Sequence, residues 1–270
     1  MSPWETLLDR PTPRGHLLQL CDVGGRSLTV NLCQYLRKGL DRGDGLLVVG
    51  SDERRDAVRR QLEASSVDVE ALVQSSQLVL LDAEKTLAHF MLAGQPDWDA
   101  FESTIAAAMR SVRPAHDRAG LRVYGEMVGV LWKNRQFSAA VRLEQFWNKL
   151  LGRISFTLFC GYSMDVFGKE FEASALDPLL CAHTHLVPGA ADGNLEIAVN
   201  RAMVEVLGCE ADELRQRVKT EQRPSWAVMP GGEAAVVWLR ENFPESADAI
   251  LARARDYCQG APLLEGALAQ

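Results

Sequence analysis

Short, largely apolar runs alternate with amphipathic stretches through the first 185 or so residues. The runs at 17–21, 46–49, 78–81, 121–124 and 156–160, several of them bounded by Gly or Asp, suit strands buried on both faces of a parallel sheet. Between the first two, Leu28, Leu32, Leu36 and Leu40 recur every fourth residue, and Gly43 ends the helix they predict. The next crossover opens at Ser51-Asp52, both good N-cap residues, and puts Val58 and Leu62 on one face. Helices are also predicted over 84–93, over 97–112 after a Gly-Gln-Pro break, and over 138–151, where Val141, Phe146 and Leu150 face a core and Arg142 and Lys149 face water. This repetition predicts an α/β fold: a three-layer, doubly wound domain on a mainly parallel sheet.

Beyond the Pro-Gly-rich stretch at 188–193 the pattern changes. Helical spacing at 195–207, 210–217, 233–241 and 246–258 is punctuated by Pro224, Pro230 and Pro244, with no convincing strand. The expected organisation is an N-terminal arm (1–14), an α/β domain (15–188) and a small helical extension (189–270). The stretch "DGNLEIAVNRAMVEVLGCEADELRQRV" resembles the opening of a PAS domain, but too little chain follows to build the sheet such a domain needs.

Charge narrows the partners. With a net charge of −7 and pI near 5.3, the chain is a poor candidate for direct nucleic-acid binding, which clustered Lys and Arg drive. Arg54, Arg55, Arg59 and Arg60 alternate with Asp52, Glu53, Asp56 and Glu63 at helical spacing and read as a solvated helix face. No apolar run reaches the roughly 18 residues of a membrane span, and the first residues lack a basic stretch followed by an apolar one, so a cytoplasmic location is expected. Six widely spaced cysteines without a C-x-x-C pair suggest reduced thiols and no structural disulfide.

Candidate chemistry collects at the strand ends, where open α/β sheets bind ligands. Asp22, Ser51, Asp52, Asp82, Glu126 and Tyr162 stand there. Asp22 and Asp82 could equally cap the helices that follow them, and Glu126 could cap its helix or face a crevice. The turn at 22–27 has the outline of a phosphate loop, with Gly24 and Gly25 opening an amphipathic helix, but no lysine. Cys181, His183 and His185 form a C-x-H-x-H run; the preceding residues read as helical, where positions two apart diverge, and no fourth ligand lies nearby, so no metal is expected. No G-x-S-x-G elbow or catalytic-cysteine context appears, so no catalytic residue is assigned and an enzyme is not expected.

The segments "GHLLQLCD", "SSQLVLLDAEKTLAHFM", "RVYGEMVGVLW", "RLEQFWNKL", "FTLFCGYSMDVF" and "CAHTHLVP" together resemble the MEDS domain, the methanogen and methylotroph sensory domain, across about two thirds of the chain. The resemblance implies a RecA/KaiC-like fold without a working phosphate loop, with Arg26 and Ser27 standing roughly where the lysine and hydroxyl would be. It also implies a bacterial or archaeal signalling role. The expected function is a non-catalytic sensor or adaptor that binds a small-molecule ligand at the strand ends, needs no cofactor, and acts on a separate signalling protein of the histidine-kinase or sigma-factor-regulator type. Homo-oligomerisation stays open. The alternative is a divergent nucleotide-binding protein or weak NTPase, disfavoured because arginine cannot reproduce a lysine's compact reach.

Overall fold

The computed structural model describes residues 3–21, 26–169, 171–187, 192–208, 211 and 231–259. All five expected strands form, as β1 (His16–Cys21), β2 (Gly45–Gly50), β3 (Leu78–Asp82), β6 (Leu121–Gly125) and β7 (Thr157–Ser163). A short β8 (His185–Leu186) completes a six-stranded sheet in the order β3-β2-β6-β7-β1-β8, parallel throughout. Every strand therefore delivers its C-terminal residue to the same edge.

Strand periodicity divides the core in two. Leu46, Val48, Tyr124 and Phe159 point to one face, beneath α1 (Pro3–Asp9), α2 (Arg26–Leu40), α3 (Asp52–Ala64) and α4 (Val69–Gln74). Leu47, Val49, Val123 and Leu158 point to the other, beneath α5 (Ala83–Ala88), α6 (Trp98–Ser111), α7 (Met127–Lys133), α8 (Phe137–Arg153) and α9 (Ala173–Ala182). The result is the expected three-layer arrangement. Three further helices, α10 (Asp192–Leu207), α11 (Gly231–Asn242) and α12 (Pro244–Gln259), add Val199, Val236 and Ile250 to that second apolar cluster. The linker at 188–191 and most of the helix expected at 210–217 lie outside the described residues.

One local expectation is corrected. The helix predicted to reach residue 93 stops at α5, and β4 (Met91–Leu92) and β5 (Gln95–Pro96) form an antiparallel hairpin instead. Its turn residues Ala93 and Gly94 have φ of 49° and 79°, the left-handed pair of a tight hairpin, which helical periodicity does not register. The N-terminal arm contains helix α1, docked through fully buried Leu8.

What docks it is Arg122, at the start of β6 and only 2% exposed. Its Nε donates to Asp44 Oδ2 at 2.9 Å, and its two terminal nitrogens donate to the carbonyls of Leu8, Tyr35 and Asp9 at 2.8–2.9 Å. Gly39 lets α2 approach this guanidinium, since a Cβ there would lie 2.7 Å from Arg122 Cδ. Replacing Arg122 by Met would leave Asp44 Oδ2 without its donor and remove a donor from each of three backbone carbonyls. Arg122→Met is expected to cost about 3–5 kcal/mol, read as a lower urea midpoint, and a loss below 1 kcal/mol would contradict this role.

Candidate functional site

Glu126 follows β6 directly, and Ser51 follows β2, the next strand in the sheet. The Ser51 backbone N–H and hydroxyl donate to Glu126 Oε2 at 2.8 and 2.9 Å, while Arg54 Nε donates to Oε1 at 3.2 Å. Arg54 also donates to the Thr29 hydroxyl on α2. Glu126 makes no side-chain cap of α7; its carboxylate instead ties β6 to α3 and, through Arg54, to α2. Thr29, Ser51, Arg54 and Glu126 line an open cleft of about 1730 Å³, which runs on past Trp132, Ser138 and Arg142 to Ser163 at the end of β7.

The other expected residues divide. Asp82 caps α5 by accepting from the Lys85 backbone N–H at 2.8 Å and pairs with Arg55 at 3.0 Å; that hydrogen bond, then Arg55, lowers its pKa although burial opposes them. Asp52 is an exposed helix residue paired with Arg55. Ser27 lies 3.5 Å from the Gln19 amide. Asp22 and the Arg26 side chain lie outside the described residues. Tyr162 does not reach the crevice: it is wholly buried beneath the sheet. Against the solvated face that its charge pattern predicts, Arg54, three residues past the Ser51 cap, is turned by the helix back over the strand ends, where it is largely buried. That spacing was the available signal.

Tyr162 leads to a second constellation. Its hydroxyl donates at 2.6 Å to Glu144 Oε1, on a carboxylate from α8 with no exposure at all. Around that carboxylate stand His16 from β1, with Nε2 at 3.2 Å from Oε2, and His183 from the end of α9, with Nε2 at 3.3 Å from Oε1. Cys160 Sγ of β7 lies 3.3 Å from His16 Nε2 and 3.8 Å from Glu144 Oε2. Each histidine has Nδ1 against a backbone carbonyl, Ala182 for His16 at 3.0 Å and Leu179 for His183 at 2.6 Å. A carbonyl only accepts, so both Nδ1 atoms carry hydrogen, and in a neutral ring the Nε2 lone pair faces the cluster. His183 Nε2 is buried and makes no hydrogen bond.

Electrostatics sharpen the arrangement. Burial pushes the Glu144 pKa up, but His183 and His16 outweigh it and hold the carboxyl well below the usual range. Burial, then His183, lowers His16. The Cys160 thiol and the Tyr162 phenol are pushed well up, by burial first and the Glu144 charge second. The buried negative charge thus needs a counter-charge, either a proton on a histidine or a bound cation.

The model of one family, MEDS, described as the MEthanogen/methylotroph, DcmR Sensory domain, matches residues 16–184, more than half of the chain. The chain belongs to the MEDS family. No curated protein matches it.

The MEDS segment opens on His16 and ends one residue past His183, so all four potential ligands lie within it. Their ligating atoms fall within 4.8 Å of one another. Tetrahedral zinc with bonds of about 2.0–2.3 Å requires ligand–ligand edges of roughly 3.3–3.7 Å, close to the short separations already present. The Nδ1 hydrogen bonds to carbonyls supply the outer support that orients metal-binding histidines. The set could hold a zinc-like divalent ion. The C-x-H-x-H run does not act as a unit: Cys181 is exposed on α9 and His185 lies on β8, leaving only His183 in the cluster. Its partners come from β1, α8 and β7, far away in sequence, so local spacing could not find them.

Cobalt(II) added to metal-stripped protein is expected to bind one per chain, with a thiolate charge-transfer band, and zinc at a hundred times its Kd should stabilise the fold by about 2.7 kcal/mol. Cys160→Ser should abolish the band. Titration without a band would identify the cluster as hydrogen-bonded only.

Proposed function

We propose that this MEDS chain is a non-catalytic signal-transduction sensor that takes a small ligand into the strand-end cleft and regulates a separate protein. The observation that carries the reading is the Glu126 carboxylate, held by Ser51 and Arg54 at the meeting of β2, α3, β6 and, through Thr29, α2. A ligand that competes for Arg54 or Glu126 changes how those elements are tied. The change has a route outward. Asp165 lines the same cleft just after β7 and pairs with Arg255 of α12, and the Phe167 carbonyl accepts from Arg240 of α11 at 2.9 Å. The C-terminal helices are the natural contact for a partner of the histidine-kinase or sigma-factor-regulator type.

In this reading the frame is RecA/KaiC-like, supported by the all-parallel sheet and by the Gly24-Gly25 pair that the sequence places between β1 and α2. Hydrolysis is not part of it, because Arg26 and Ser27, at the start of α2, stand where a lysine and hydroxyl would be needed, and no lysine is present there. A thermal-shift screen of small metabolites, with magnesium-ATP and magnesium-GTP included, is the direct test. At least one metabolite should raise the Tm, with phosphate release at background. Glu126→Gln should lower stability on the order of 1 kcal/mol by weakening the Arg54 pair, and should shrink the ligand-induced shift. Magnesium-dependent turnover lost on substituting Arg26 or Ser27 would instead class the chain with the nucleotide hydrolases.

A further inference from the structure

We infer that the cleft ligand is an organic anion carrying an apolar or aromatic body. The inference rests on the cleft being the ligand site and goes on to name the chemical class. Arg54, Arg60, Lys133, Arg135, Arg142 and Lys169 all line the cleft. Arg54 is matched by Glu126, whereas the other five form no ion pair among the described residues. On the acidic side, Asp165 is engaged by Arg255, and the Glu172 carboxylate accepts the Ser174 hydroxyl at 2.7 Å. Among the described lining residues, Glu53, Glu84 and Glu172 remain to balance five cations. A chain with net charge −7 therefore keeps a cationic excess at one concave place, where field lines concentrate and attract anions.

Three of the cations, Lys133, Arg135 and Arg142, lie at or beside the turn from α7 to α8. Arg135 has φ of 59°, and its N–H bonds to the Trp132 carbonyl while that of Gln136 bonds to Leu131, the closing pattern of a helix C-terminus. Glycine fills this left-handed position without strain, whereas an arginine costs backbone energy. Here the strained residue places its side chain on the cleft wall, the kind of local strain that functional sites retain. The wall beside it is apolar. Phe137, 37% exposed, packs edge-on against Trp132 with ring centroids 4.6 Å apart, and Val130, Val141 and Met164 continue that surface. Guanidinium groups beside an open aromatic surface match a carboxylate, sulfonate or phosphate attached to an apolar group.

The test compares two fluorescent probes of similar body and opposite charge character: 8-anilinonaphthalene-1-sulfonate, which is anionic, and N-phenyl-1-naphthylamine, which is neutral. The sulfonate should bind saturably at one site, more weakly as salt rises, and with Kd about tenfold higher in an Arg135→Gln/Arg142→Gln double variant whose Tm is unchanged. The neutral probe should bind more weakly and ignore both changes. Equal binding of the two probes, a sulfonate Kd indifferent to salt and to the double variant, or no sulfonate binding would overturn the inference. A neutral metabolite that raises the Tm in a Glu126-dependent way would then still uphold the cleft as the ligand site.

Discussion

A charge with no access to water sets the terms for the centre of this molecule. Removing the Glu144 carboxylate from solvent costs several kcal/mol, and only converging donors or a counter-charge offset that. The Tyr162 phenol and the Cys160 thiol donate to it, and a proton on His16 or His183, brought in from β1 and the end of α9, or a bound cation supplies the counter-charge. The requirement reaches into the sheet: His16 pairs with Leu158 in the β1–β7 register, and its backbone N–H donates to the Thr184 hydroxyl beside β8. A register slip between β1 and β7 would misplace His16 and leave the carboxylate underpaired.

The two edges of the sheet use the same ion pair to different ends. At the N-terminal edge, Arg122 and Asp44 are sealed, and the guanidinium also satisfies three backbone carbonyls, so the pair works as a staple that nothing from solvent can replace. At the C-terminal edge, Arg54 and Glu126 bond to each other and to the hydroxyls of Thr29 and Ser51, with a cleft in front of them. Side-chain hydroxyls and charges beside water can exchange partners at small cost; buried carbonyls cannot. The contrast is between a sealed staple at one edge and a water-facing pair at the other.

Among the described residues, packing runs continuously from the cleft to the C-terminal helices. α10, α11 and α12 share one apolar cluster with the lower face of the sheet, and the segment after β7 touches the cleft through Asp165 and the tail through Arg255 and Arg240. Among the described residues, contiguous contacts thus join the cleft wall to the C-terminal helices.

The sequence alone determined the strands, their parallel burial and the helical character of the tail, because apolar periodicity and turn residues report local geometry directly. It also brought Ser51 and Glu126 to one edge, since each follows an apolar run in a repeated βα unit. Local reasoning failed where backbone conformation overrode periodicity, as in the hairpin at Ala93-Gly94, and where a charged residue on an apparently solvated helix, Arg54, turned inward over a strand end. It could not find the buried cluster. His16, Glu144, Cys160 and His183 carry no common spacing, and each taken singly has an ordinary explanation as a core or capping residue. Only the tertiary structure decided that they meet, because their proximity follows from strand order, from the β1–β7 register and from which face of α8 is buried, and none of these is a property of neighbouring residues.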